Sequence, residues 1–595
     1  MSLLGTSMTE RDSQLPDRSE PSTAVADAGG PDAATPAGGR WRIGTRSVIV
    51  FVTLAGLAVA AVAMAAAGGQ RRNLGPDLAC ADVAQAVGLD FRGDRGPVFP
   101  AMDAWGKVMQ ENMGNGAAVG DYDGDGYLDV LLLGQAGHRT RLFHNDPAPD
   151  GGRRFADATD GSGLGTVTSN ARVAQFVDLS GTGRPDIVIA ADHMPGGPGG
   201  PSRIFRNDGG GHFTDVTAGS GFDPTGYIVG GMTFADYDGS GHQSIWLSYW
   251  TDEAAADPGR TEIKGLFPGH NRLYRNLGGF RFQDVTDSMG VEPYHADSFT
   301  AVFADFTGDG LPDIYQANDN RPDRFYQNLG GGRFRDPGYR DGLTRVGNSM
   351  GVAPRIGRAG DLQLYVTHIT DPSGLFGSNV GNTLMVNEQA PDGITFRNVI
   401  SSYGIADTAW GWGAAFVDMD LDGALDLYAV QGMHAYVGTA SDHLANATST
   451  LFLDDGTGDH YTVAKSTGCD VAGDQRALVV FDYDRDGSPD LLITQVDGPT
   501  MLLRNHTRGK HWLTVAPTGQ GDAAIDARVS VTTGGRTTTQ LLLAGGSFLA
   551  GPPREAYFGL AAAATAELVR VDWADGSTSE LRDVPADQVL RVPHR

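Results

Sequence analysis

The chain of 595 residues carries two cysteines, Cys80 and Cys469, and no Cys-x-x-Cys pair. A zinc site and a disulfide scaffold are therefore not expected. Lysine stands only at Lys107, Lys264, Lys465 and Lys510, the other basic side chains being arginine. The net charge of −27 argues against binding nucleic acid or an anionic membrane through a general basic surface. Gly-x-Ser-x-Gly, His-Glu-x-x-His and P-loop motifs are absent, so no familiar catalytic signature is available. Glycine is abundant, at 85 residues, but follows no three-residue period, which excludes a collagen-like rod. Instead the glycines lie in turns between short apolar runs, the pattern of an all-β chain.

The turns carry the chemistry. Asp121-Tyr-Asp123-Gly-Asp125-Gly126-Tyr-Leu-Asp129 places carboxylates at loop positions 1, 3, 5 and 9, with an apolar run behind it. Side chains so spaced converge on one cation, and an all-oxygen ligand set suits Ca²⁺. Leu132 stands where a helix–loop–helix calcium loop needs glutamate, so this is the shorter loop that joins two strands. Five further copies offer Asp178, Ser180, Thr182 and Asp186; Asp236, Asp238 and Ser240; Asp305, Thr307, Asp309 and Asp313; Asp418, Asp420, Asp422 and Asp426; and Asp482, Asp484, Asp486 and Asp490. The second and third copies replace some carboxylates by hydroxyls. The plainer alternative for all six is an Asx turn, which also selects Asp and Gly, but four convergent acids without a cation repel one another. Successive copies lie roughly 60 residues apart, except for one gap of about twice that before Asp418. A ligand-poor repeat running from Arg355 through Gly360 to Gln363 fills the gap, which makes seven repeats with six metal loops.

Each repeat reads as four strands. One enters the loop (117–120, 173–177, 414–417) and one leaves it (130–133, 187–190, 427–430). A third ends in asparagine, as in Arg141-Leu-Phe-His-Asn145, and a fourth follows a glycine turn, as in Phe213-Thr-Asp-Val-Thr217. Four strands per repeat of this length is a propeller blade, in which radial closure hides the sheet edges. The last repeat lacks a fourth strand, and the segment starting at Cys80 aligns with the one starting at Phe213, so the N-terminal segment is expected to complete the ring. Cys80 then falls on one fourth strand and Cys469 at the far end of its neighbour, and both are expected to be buried free thiols.

The expected fold is all-β: a seven-bladed β-propeller at 80–510 and a small, separate C-terminal β domain at 511–595, preceded by one N-terminal transmembrane helix. Residues 1–46 lack apolar periodicity and read as a disordered cytoplasmic segment. Residues 48–67 form an uncharged run long enough to cross a bilayer, so 47–68 is expected to be a signal anchor and 69–79 a linker. Arginines at 40, 42 and 46 favour an internal N-terminus and an external body. The alternative is secretion after cleavage near Ala65.

The loops resemble FG-GAP/VCBS propeller repeats. The tail motifs Ile525-Asp-Ala-Arg528, Gly545-Gly-Ser547, Tyr557-Phe-Gly-Leu560 and Val571-Asp-Trp573 resemble the ASPIC/UnbV domain. Together they resemble the bacterial relatives of cartilage acidic protein and the UnbV-like proteins of enediyne gene clusters. Ala561 and Ala574 depart from the usual tail pattern.

Both ends of each metal-loop hairpin point to the opposite face, where the longest connections also lie. The candidate ligand-binding residues there are Asp192, His193, Trp250, Asp297, Asn318, Asp319, His368, Trp410, Trp412, Gln431 and His434. No catalytic residue is assigned. The reading is an exported, membrane-anchored, Ca²⁺-binding module whose partner is a protein, carbohydrate or small molecule outside the cytoplasm, and not nucleic acid. The alternative is an external enzyme of carbohydrate or natural-product metabolism with its site on that same face.

Overall fold

Alternating apolar runs broken by Asp-Gly turns fold here as antiparallel hairpins. The computed structural model describes residues 78–595 except 94, 96–110, 136–137, 168–169, 194–199, 225–227, 252–269, 292–295, 338–341, 344–345, 371–380, 391–392, 434–446, 459, 520–521 and 595. All that follows concerns the chain from Leu78 onward. The anchor expected at 48–67 lies outside the described residues. Among the described residues no helix is long and apolar enough to cross a membrane.

Among the described residues the architecture is all-β with almost no helix; Thr286–Met289 forms one turn of α-helix. Among the described residues seven sheets contain the antiparallel four-strand order expected of the repeats, two of them with one further strand. In the first, Ala117–Gly120 enters the acidic loop, Asp129–Leu132 leaves it, and Arg141–Pro147 and Arg153–Asp157 follow outward. The entering strands of the next six are Ala171–Val177, Ile228–Ala235, Asp297–Ala304, Val352–Ile356, Gly411–Val417 and Gln475–Phe481. The ligand-poor fifth repeat is a complete sheet, ending in Thr383–Ala390 and Gly393–Asn398. Each entering strand packs on the next, and Gln475–Phe481 packs on Ala117–Gly120. The seventh sheet takes its outermost strand, Cys80–Asp82, from the N-terminal side, with Cys80 opposite Asn505.

The cysteines overturn the expectation of two free thiols. Cys80 and Cys469 form a disulfide, with Cα atoms 4.9 Å apart. The expectation failed because Cys469 is not on the sixth sheet's outer strand, Tyr461–Val463, but in the link beyond it. That link crosses the start of the neighbouring outer strand, and the Cys80 N–H donates to Thr467 O at 2.8 Å. A Cβ at Gly468 would lie 2.4 Å from Cys80 O, so only glycine permits the crossing. The other junctions place an apolar residue after the link glycine in the same cluster as the aromatic that opens the outer strand: Leu89 with Phe155, Leu164 with Phe213, Ile405 with Tyr461. At the closing junction the corresponding pair is covalent.

The tail folds as two sheets over one core that includes Leu513, Val529, Phe558, Val569 and Trp573. It is not separate, contrary to expectation. The stretch between Leu542 and Ala556 enters the space between the sheets, where Phe234 N donates to Ala544 O and Ala117 N to Leu549 O. Ala550–Gly551 pairs parallel with Ala117 and Ala118, so it adds to the first sheet's inner edge. Phe548 lies 4.7 Å from the Trp412 ring and 5.6 Å from that of Phe299, centroid to centroid. A Cβ at Gly116 would meet Leu549 O at 2.2 Å, so the entering strand must be bare where the insert passes. Burying an aromatic of this size contributes about 2–3 kcal/mol by area alone, and it joins tail and sheets in one core.

Candidate metal centre

In every acidic loop the first aspartate shapes the turn. Asp121 accepts the N–H groups of Gly124 and Gly126 on its two oxygens, and Asp418 and Asp482 accept those of Asp422 and Gly423, and of Asp486 and Gly487. The ninth-position aspartate is buried and joins two elements. Asp129 takes Tyr122 N on one oxygen and Asn145 N on the other, so it ties the loop to the third strand. Asp186, Asp313, Asp426 and Asp490 do the same with Asn207, Asn328, Asp454 and Asn505.

Three loops bring acidic oxygens within 4.8 Å of one another: Asp121, Asp123 and Asp129; Asp418, Asp420 and Asp426; Asp482, Asp484 and Asp490. In the first loop His144 also approaches Asp123 and Asp125, its Nε2 3.0 Å from Asp123 Oδ2. Burial, with the neighbouring carboxylates adding to it, raises Asp129, Asp418 and Asp482 to about 8 and Asp426 and Asp490 well above the usual range. Asp313 rises to about 7 and Asp186 to about 6 for the same first reason, desolvation. Such clusters take up positive charge, either protons or a hard cation, and the oxygen-only donors of the sixth and seventh loops fit Ca²⁺.

The remaining loops differ. In the second, Ser180 Oγ donates to Asp178 Oδ1 and lies 2.9 Å from Thr182 Oγ1, so the predicted ligands bond one another. In the third, Ser244 replaces the ninth carboxylate, Ser240 N and Oγ donate to Asp236, and the Arg275 guanidinium lies 2.6 Å from Asp238. In the fourth, Asp305 accepts the N–H groups of Gly308, Asp309 and Gly310, while Asp313 accepts that of Thr307. Among the described residues none of these three gathers a cluster of three acids.

The tail covers this face. Gly559 N donates to Asp418 Oδ2 at 2.9 Å. Arg485, in the seventh loop, grips Glu555 with two nitrogens at 2.6 and 2.8 Å and donates to Gly126 O in the first.

The third-strand asparagines were missed as site residues. Besides the backbone bonds above, Asn145 Nδ2 donates to Tyr483 O in the preceding sheet, Asn207 to Tyr122 O, Asn328 to Tyr237 O and Asn505 to Met419 O, each at 2.8 Å. Each therefore fixes one acidic loop to its neighbour. Their recurrence at the end of every Arg-x-x-x-Asn strand was the available signal. Arg275 and Arg504, one position earlier, sit on the position-3 carboxylates Asp238 and Asp484.

The candidate ligand face is mostly interior. Asp192 is fully buried against Arg172 at 2.7 Å. Trp250 Nε1 donates to Asp319, which also accepts from Asn348. Asn318 donates to Pro322 O, Trp412 to Gly432 O and Gln431 to Thr450 Oγ1, while His368 N donates to Asn382. Trp410 stacks on Trp412, and both are buried. Asp297 pairs across the strand with Asp319. Asp297 and His193 are half-buried, and His434 lies outside the described residues. The carbonyls of Gly114 and Asn112 accept from the buried Arg172 and Arg476, so the stretch 111–116 closes the centre at this end. Polar groups at strand ends have the donors and acceptors of the connecting backbone within reach, and use them.

The fold and these loops define a β-propeller with an appended β domain. The sequence matches the FG-GAP-like repeat over 121–189 and 178–247, and the domain described as ASPIC and UnbV over 517–595. The chain thus carries FG-GAP-like repeats and a C-terminal ASPIC/UnbV domain, with distant homology to cartilage acidic protein 1. It is 27% identical to that protein of Xenopus tropicalis over 248 residues (38% of this chain, 35% of the relative). To that of Mus musculus it is 25% identical over 350 residues (55% and 50%). The chain therefore spans between a third and a half of the length of these curated relatives. Similar solved structures include an Agrocybe aegerita lectin (TM-score 0.36, 15% identity, covering 66% of this chain and 94% of the lectin). Another is YCF48 bound to D1 peptide (TM-score 0.35, 10% identity, covering 69% and 94%).

Proposed function

We propose that the chain is an exported, membrane-anchored, calcium-stabilised propeller of seven blades that serves as a ligand- or protein-binding module. The observation that carries the calcium reading is the convergence of three carboxylates within 4.8 Å in each of three loops. A cation there relieves repulsion between groups that the turn and the third strand already hold in place. The module reading rests on what each face offers. The tail covers the centre of the acidic-loop face, while the connections between second and third strands leave the opposite end, longest from Thr251 to Arg272 and from Gln431 to Thr450. The disulfide supports an oxidising compartment, in keeping with an external body and an anchor at 48–67.

The test is calcium titration of the full chain with melting as readout. Each occupied site contributes about 2.7 kcal/mol at a hundredfold excess over Kd, so calcium raises Tm and EGTA reverses it. Asp484→Asn removes a share of that rise, and Asp361→Asn, in the ligand-poor repeat, leaves it intact. A melting curve unmoved by chelation would reduce the loops to Asx turns.

A further inference from the structure

The fifth repeat carries Arg355, Arg358 and Gln363 in its loop, and keeps one acid, Asp361, at the seventh position. Arg355 and Gln363 occupy the first and ninth loop positions, where the other loops carry mainly Asp, and bond each other, Nε to Oε1, at 2.8 Å. The Arg355 guanidinium also donates to Tyr461 Oη and Gly458 O, and lies 4.9 Å from the Phe416 ring centroid. This turn therefore closes around a built-in cation, and its one carboxylate, Asp361, accepts from Gln363 Nε2 at 2.8 Å. Arg358, at the fourth position, is exposed and donates to Gly456 O.

Beside this turn lies a cleft of about 610 Å³, walled by the turn itself, by Asp454 and Gly458 of the sixth sheet, and by the tail hairpin at Gly535 to Thr539. Arg536 enters it from the tail and makes no hydrogen bond or ion pair among the described residues. Asp454 also lines the cleft: its Oδ1 accepts the N–H groups of Gly456 and Gly458, and the charge of Arg355 acts on its carboxylate. Three guanidiniums thus border one cleft in a chain of net charge −27. An unpaired guanidinium beside two partly committed ones is a poor arrangement unless an anion joins them.

We propose that this cleft, between the metal-free fifth loop and the ASPIC/UnbV tail, binds the oxyanion group of a small ligand: a carboxylate, sulfate or phosphate. Arg536 and Arg358 supply forked N–H donors from opposite walls, and Arg355 fixed positive charge at the base. Planar guanidiniums suit such groups, giving paired, charge-assisted hydrogen bonds. Because the two walls belong to different parts of the chain, a bound anion also joins tail to ring.

The test is calorimetric titration of the full chain with sulfate, methyl phosphate and succinate in turn, at constant ionic strength set with chloride. Saturable binding of any of the three is expected. The preferred probe separates tetrahedral from planar oxyanions. Arg536→Ala weakens it by about tenfold or more, the equivalent of one charge-assisted bond. Arg536→Lys, which keeps the charge but loses the fork, falls between. Arg582→Ala, on an exposed tail strand, changes nothing. Since Arg536 has no side-chain partner among the described residues, its variants keep the wild-type Tm in chloride, so loss of binding is not loss of fold. Absence of saturable binding by all three probes, or equal binding by wild type and Arg536→Ala, overturns the proposal.

Discussion

Asn145 shows how one side chain serves two sheets. Its backbone N–H is held by Asp129, and its Nδ2 donates to both Leu128 O and Tyr483 O. Asn145→Ala leaves two buried carbonyls unpaired, at about 1–3 kcal/mol. The expected result is a urea midpoint shifted downward without change in calcium stoichiometry. The aspartates carry a pH signature. Asp129, Asp418 and Asp482 titrate near 8 in the folded chain, raised first by desolvation, against about 4 when unfolded. A raised folded value means the native state holds the proton more tightly. The contribution is therefore complete below about pH 4 and is lost as pH rises through 8. In EGTA, denaturant midpoints should fall between pH 5 and pH 8. With saturating calcium the cation replaces the protons and most of that slope disappears. A calcium-free midpoint that rises over this range would show that these acids are ionised without a cation.

At the scale of elements, the strands were legible because every hairpin repeats one rule: an apolar strand, an Asp-Gly turn, an apolar strand. The fifth sheet could be placed although its ligands are gone, since Gly360 and the run 362–366 keep the spacing. Contacts made by links and inserts were not legible. The link at Gly468 and Cys469 belongs to no strand, so assigning it to one put the two cysteines too far apart. The burial of Asp192, Trp410 and Trp412 was not legible either, because hairpin direction tells which end a residue occupies but not whether a connection folds over it. The tail's Ala556–Ala561 strand was missed, as was the insert before it, whose Gly-Gly-Ser-Phe sequence reads as an ordinary loop. Phe548 makes that insert testable. It is 1% exposed and packed against Trp412 and Phe299, so Phe548→Ala should cost about 3–5 kcal/mol. If the tail were merely tethered, the same change would lower only a separate tail transition. A single cooperative melt that moves as a whole is the expected outcome.

For the whole molecule the question is how a chain of consecutive sheets holds its two ends together. Among the described residues most of the sheets are formed by strands adjacent in sequence; the first gains Ala550–Gly551 from the tail, and the seventh is completed by Cys80–Asp82 on Met501–Asn505. That outer strand has three paired residues, a short hold for a junction that keeps the ring shut. Elsewhere an aromatic side chain meets an aliphatic one in the equivalent contact, or, at Phe222 and Phe282, a second aromatic. Here the disulfide spans 389 residues of sequence and makes the closing junction covalent. Closing so long a loop restricts the unfolded chain severely, and removing such a bond costs about 2–4 kcal/mol. Intact-mass measurement before and after reduction should show a gain of two hydrogens. The variant Cys80→Ala/Cys469→Ala should melt lower and exchange amide hydrogens faster at 80–82 and 501–505 than in the other outer strands. Restoring an aromatic–aliphatic pair at the two positions, Cys80→Phe with Cys469→Leu, should recover part of the loss, because other junctions close in that way. If reduction changes neither mass nor melting, the thiols are free. If it changes the mass but not hydrogen exchange at the closing sheet, the pairing of the outer strand alone suffices to hold the ring.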